Sequence, residues 1–191
     1  MISHDIHIHT YISECSNDPD ATPENYIKRA EELGLEVIGF SDHFWDSTID
    51  GASEWYSTQN FEHIMQIKDI MPVDTLGIKV LIGCETEYCG NGKIGISPEV
   101  ADQLDFVLVP TSHIHMKGFV LPSWINSAED VAKTMVEYFK DVVKFDFVTG
   151  MAHPFYPLGY ENVDEIVSCI SDDEFMECFG MAAEANKSIE I

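Results

Sequence analysis

Positive charge is scarce in this sequence. Ten Lys and Arg stand against 34 Asp and Glu, a formal net charge of −24. Nucleic acid is therefore not expected as a partner, because backbone binding needs clustered Lys and Arg. An anionic substrate would meet the same repulsion unless local cations offset it, and bound divalent ions would supply them. A purely solubilising role for the surplus acid is the plainer alternative. Long apolar runs are missing as well. None approaches the roughly 18–20 residues of a bilayer span, so no membrane association is expected. The opening Met1-Ile2-Ser3-His4-Asp5 has neither the basic region nor the apolar stretch of a secretory leader, which makes a cytoplasmic setting the expectation. Cysteines number five, an odd count, and none forms a C-x-x-C pair. That argues against a disulfide framework or a thiolate zinc ribbon, and most are expected to be small buried apolar residues. Also absent are a G-x-S-x-G elbow, a Walker A loop and a Rossmann G-x-G-x-x-G.

What is present is an alternation of strands and helices over 191 residues, the size of one domain spanning 1–191. Ile6 and Ile8 alternate with Asp5, His7 and His9 as a first strand. Thr22-Pro23-Glu24 opens a helix, with Thr as N-cap and Pro at the first helical position, and Gly34 ends it. Leu35 to Phe40 is the second strand. Helical spacing of Phe61, Ile64, Ile67 and Ile70 predicts a helix from about Gln59 to Met71. Strands follow at Ile78–Cys84, Phe106–Val109 and Phe147-Val148, with a short helix from Ser97-Pro98-Glu99 and a long one over about Ala128–Lys144. Helical segments fill about Val163 to Ala185, with Ser171 and Glu174 as a capping box, and Ile189–Ile191 begins a sixth strand. Such an order implies a parallel sheet covered on both faces, either closed as a barrel or open and doubly wound.

The chemistry sits at the strand ends. In order they finish in His7-x-His9, Asp42-His43, Glu85, His113 and His153. A strand places residues i and i+2 on one face, so His7 and His9 can share a site, with Asp5 behind His7 as an orienting partner. A lone His is usually a hydrogen-bonded structural residue; five successive strand ends carrying metal-capable side chains are not readily coincidence. Imidazole and carboxylate suit zinc, iron or manganese, and five His with one Glu exceed the needs of one tetrahedral ion. Two or three ions are expected. His115 is a weaker candidate on the His113 face, and His4 and His63 fall outside the pattern. Asp42 reads as a ligand-orienting or a loop-facing residue. Trp45, Trp55 and Tyr56 either pack or wall a pocket, and Gly90-Asn91-Gly92 reads as a turn rather than a phosphate loop.

At these residues the sequence resembles the PHP (polymerase and histidinol phosphatase) domain family. His7-x-His9, Asp42-His43, Glu85, His113 and His153 match its hallmarks in order, and Glu32-Leu33-Gly34-Leu35 leading to Phe40-Ser41-Asp42-His43 is similar to the histidinol-phosphatase branch. The resemblance covers essentially the whole chain. It implies a distorted (β/α)7 TIM-like barrel and a trinuclear site held by His7, His9, His43, Glu85, His113 and His153. The implied reaction is hydrolysis of a small phosphate monoester, histidinol-phosphate-like, by a metal-bound hydroxide, with no side-chain nucleophile. Two departures stand out. The family's extra ligand after H-x-H falls among Glu14, Cys15, Asp18 and Asp20, and its final D-x-H is absent. The chain thus reads as lacking a last strand and helix, with an open edge that a homo-oligomer would cover.

Two other readings compete. An amidohydrolase also begins with H-x-H on a barrel strand, but it often uses a modified Lys at a strand end, and here only Lys117 lies nearby. A PHP-like module that binds metal without turnover would also accommodate the missing D-x-H.

Overall fold

The computed structural model describes residues 3–190, so Met1, Ile2 and the last residue expected for the sixth strand, Ile191, lie outside the described residues. The fold is α/β with parallel strands, and the chain divides into two compact units. The first runs to Thr86 and takes in Gly95–Val107; the second comprises Glu87–Ile94 and the chain from Leu108 onward.

In the first unit, β1 (His4–Ile8), β2 (Val37–Phe40) and β4 (Lys79–Ile82) form a parallel sheet in the order β1-β2-β4. Between β1 and β2 runs α1 (Pro23–Leu33), bounded as expected. Thr22 accepts the amide proton of Asn25, and Gly34 leaves the helix at φ 71°, the left-handed region that glycine enters without penalty. Ile27 and Ala30 of α1 bury against Ile8, Ile38 and Phe40, joined by Ile67 and Ile78. Apolar spacing on the helix and near-continuous apolar strands thus meet in one core.

Two breaks depart from the sequence expectation. The expected 59–71 helix is instead α2 (Phe61–Met65) and α3 (Ile67–Ile70), separated at Gln66. The expected third strand divides at Gly83 into β4 and β5 (Cys84–Thr86), and β5 pairs in parallel with β3 (His43–Phe44). A Cβ on Gly83 would sit 2.5 Å from the Phe106 carbonyl oxygen, so only glycine lets the chain turn here. The short α4 (Pro98–Ala101) follows Ser97, which caps it through the amide of Val100.

In the second unit, Leu108–Pro110 of β6 (Val107–Pro110) pair with β7 (Gly150–Ala152), and β7 pairs with β8 (Ser188–Ile189), all in parallel. Strand β7 lies beyond the expected Phe147-Val148. That apolar pair instead enters a turn, with the Val148 amide bonded to the Phe145 carbonyl and the Phe147 ring against Phe145. The long α5 (Ala128–Val142) buries Val131, Met135, Phe139 and Val142 along one stripe. It packs on α6 (Val163–Ser168) and α7 (Asp172–Glu184), and Ser171 and Glu174 form the expected capping box. Gly90, Asn91 and Gly92 all take positive φ in a turn closed by the Cys89–Lys93 backbone bond, as the sequence indicates. Among the described residues no helix is long and apolar enough to cross a membrane.

Candidate metal centre

Strand β1 does not pair regularly with β2. His4 and Asp5 face Val37 and Ile38, but Ile8 faces Phe40, so β1 holds one extra residue between Asp5 and Ile8. This bulge breaks the alternation that would place Asp5 behind His7, and Asp5 instead accepts the backbone amide of His7 at 3.2 Å. Beyond the bulge, His7 and His9 converge, their Nε2 atoms 3.1 Å apart.

Glu85, almost wholly buried at 1 % exposure on β5, receives them. Its Oε2 lies 3.4 Å from His7 Nε2, 3.1 Å from His9 Nε2 and 3.2 Å from His43 Nδ1. Three imidazole nitrogens around one carboxylate oxygen suit a shared cation. Donors on one ion with bonds of about 2.0–2.2 Å sit roughly 3–3.5 Å apart. His9 Nδ1 is also buried with no hydrogen-bond partner among the described residues. The donor set therefore fits a divalent transition metal, with His7, His9 and Glu85 forming one group.

Behind this group, Asp42 is buried and accepts two bonds from Thr10, one from its amide at 2.6 Å and one from its hydroxyl at 2.9 Å. It therefore ties the chain just after His9 to the chain just before His43. Burial, outweighing the Thr10 bonds, holds its carboxyl above the usual range. Tyr56 OH lies 3.2 Å from His43 Nδ1, and the Trp55 ring stands edge-on to the His43 ring at 5.0 Å. Both aromatics therefore flank a candidate ligand, whereas Trp45 is core, its indole nitrogen donating to the Ile49 carbonyl.

Of the four residues the sequence offered in the loop after His9, Cys15 is the one that comes near the candidate ligands. Its sulfur lies with ring nitrogens of His9 and His43, all within 4.8 Å of one another. Glu14, Asp18 and Asp20 join no such group among the described residues. Burial opposes the Cys15 thiolate, but contacts with His43, His9 and Ser13 prevail and lower its pKa to about 6. Burial likewise opposes charge on His9, yet Cys15 and Glu85 raise it to about 10. The expectation that most cysteines are buried does not hold: Cys84 and Cys178 are buried, Cys89 is half-buried, and Cys15 and Cys169 are exposed.

The second unit carries its own imidazoles. His113 Nδ1 donates to Glu87 Oε1 at 2.6 Å, with both side chains buried. In a neutral imidazole, a carboxylate at Nδ1 keeps the proton there and leaves Nε2 for a metal. Glu87 escaped the sequence reading; its one signal is the Glu85-x-Glu87 spacing. His153 follows β7 at φ 28°, a value rare for L residues, and Glu190 accepts its amide at 3.1 Å. Ser112 Oγ lies 2.8 Å from His153 Nδ1, and the His113 and His153 rings stand 5.0 Å apart. His115 lies in a turn rather than on a strand, and burial lowers its pKa. His63 Nε2 bonds the Ile12 carbonyl, while Lys117 is exposed and bonds Asn126.

The chain is 25% identical over 166 residues to a probable phosphatase of Clostridium acetobutylicum, a match covering 86% of this chain and 58% of that protein. The chain thus spans well under two thirds of that relative's length. The sequence profile of the PHP domain matches residues 5–191, taking in every donor described above. The chain belongs to the PHP domain family.

Proposed function

We propose that this chain is a metal-dependent phosphoesterase that hydrolyses a small phosphate monoester. The observation that carries the reading is the convergence of His7, His9 and His43 on the buried Glu85 Oε2. Membership of the PHP domain family and the likeness to a probable phosphatase support it. In this reading His7, His9, His43, Glu85, His113 and His153 are the metal ligands, and the fold is a distorted (β/α)7 barrel. When bound, two or three zinc, manganese or iron ions neutralise phosphate charge and lower the pKa of water toward neutrality.

The remaining work belongs to the chain's own side chains. Glu87 keeps the proton on His113 Nδ1. Ser112 orients the His153 ring, and Glu190 fixes its backbone. Asp42 anchors Thr10 and so the approach of His9. Trp55 and Tyr56 keep bulk water from the His43 ring. No Ser or Cys nucleophile is required. The net charge of −24 is compatible with an anionic substrate once cations are bound. A histidinol-phosphate-like monoester is the substrate class that the sequence resemblance favours. A cytoplasmic setting, no nucleic-acid or membrane partner and a homo-oligomer complete the proposal.

The test is elemental analysis of the purified chain and of His7→Ala/His9→Ala, alongside phosphate release from small monoesters. Two or more ions per chain, lost in the variant together with hydrolysis, are expected. Metal at background after reconstitution, or hydrolysis that survives in the variant, overturns the proposal.

A further inference from the structure

The loop that carries Cys15 is tightly specified. Ser13 and Gln59 are both buried, and Gln59 Oε1 accepts the Glu14 amide at 3.0 Å and the Ser13 hydroxyl at 3.4 Å. Ser13 Oγ in turn accepts the His43 amide at 3.2 Å, and Cys15 Sγ lies 3.4 Å from that same oxygen. Gln59 Nε2 donates to the Trp55 carbonyl, tying the frame to the aromatic wall beside His43. Cys15 thus stands on a braced turn rather than a slack loop, with its sulfur beside the His9 and His43 rings.

We propose that Cys15 is a thiolate metal ligand, forming with His9 and His43 a mixed sulfur–nitrogen position that takes zinc or cobalt in preference to manganese or magnesium. The proposal rests on the metal-dependent reading above and adds what that reading leaves open, a soft donor and the ion it selects. Thiolate favours borderline-soft ions, whereas carboxylate and water favour hard ones. On binding, the thiol proton goes to solvent and a sulfur lone pair to the ion. Tetrahedral donors with bonds of about 2.0–2.3 Å sit within roughly 4 Å of each other, so modest closure of the observed cluster would seat an ion.

The experiment uses the full chain stripped by chelator and then loaded with zinc, cobalt(II) or manganese, with iodoacetamide labelling mapped by mass spectrometry. Cys15 and Cys169 are both exposed, so Cys169 is an internal control for reagent access. Cys84 and Cys178 are buried, and their lack of labelling reports an intact fold. Zinc is expected to abolish labelling of Cys15 and leave that of Cys169 unchanged, while manganese protects neither. Cobalt(II) is expected to give a near-ultraviolet sulfur-to-metal charge-transfer band, lost in Cys15→Ser and kept in Cys169→Ser. Metal bound by elemental analysis, with Cys15 still labelled and the band absent, overturns this proposal and leaves the metal-dependent reading standing. Absence of bound metal overturns both.

Discussion

Truncating Asp42 should make the first unit markedly easier to unfold. Its carboxylate accepts the Thr10 amide at 2.6 Å and the Thr10 hydroxyl at 2.9 Å, and both residues are buried. Hydrogen bonds to a charged acceptor contribute about 1.5–3 kcal/mol each, and a buried amide left without a partner costs about 1–3 kcal/mol. Relief of the carboxylate's own desolvation offsets part of this loss. Asp42→Ala is therefore expected to cost about 3 kcal/mol. Asp42→Asn keeps a carbonyl oxygen for the Thr10 amide, and its NH2 can donate to the Thr10 hydroxyl oxygen. Its expected cost is about 1 kcal/mol. With a urea m-value of about 2 kcal/mol/M, the midpoint should fall by about 1.5 M for Ala and about 0.5 M for Asn. Equilibrium urea unfolding of the chelator-stripped chain checks this without a contribution from metal. If Ala and Asn shift the midpoint equally, or Ala leaves it in place, the Thr10 bonds do not brace the loop and the reasoning fails.

Two further outcomes follow from the same kind of reading. Glu87→Gln should retain a neutral hydrogen bond to His113 but lose the charge that fixes its tautomer, weakening metal binding about 10–100-fold; competition against a chromogenic chelator measures it, and an unchanged affinity refutes the role. Asp46 accepts Thr48 N–H at 2.9 Å, Thr48 O–H at 2.7 Å and both donors of Ser97, and although burial opposes its charge, these bonds hold its pKa below the usual carboxylate range. A depressed pKa gives stability that is present above the unfolded value near 4 and lost as pH falls through the folded one. The stability gap between wild type and Asp46→Asn should thus be widest at neutral pH and narrow below about pH 4, and a gap independent of pH would contradict it.

The candidate donors could be picked out of the sequence because their signal is one of order. Strand, acid or imidazole, helix recurs along the chain, and no long-range geometry is needed to see it. Caps were legible for a similar reason, since Thr22, Gly34 and Ser171 act within a few residues of themselves. What escaped depends on contacts made from a distance. β7 runs through Gly150, and Phe147-Val148, the better strand by composition, is drawn into a turn. The β4–β5 break follows from the nearness of Phe106 to Gly83, which no local window contains. The placement of Cys15 beside His9 and His43 involves a loop braced by Gln59, more than forty residues away in the chain. Glu87 was hidden because a second acid on a strand reads as one more solvated charge.

The extra residue in β1 has an evolutionary consequence. Deleting one residue between Asp5 and Ile8 would give a regular ladder with β2, a gain for the sheet taken alone. Only Ile6 and His7 lie in that interval, so the deletion either removes a candidate donor outright or straightens the backbone just before His7 and re-aims it away from Glu85. Selection for a sturdier sheet and selection for the cluster therefore oppose each other at this one position. Length variation among functional relatives should be rare inside this five-residue strand and commoner in the loop that follows it.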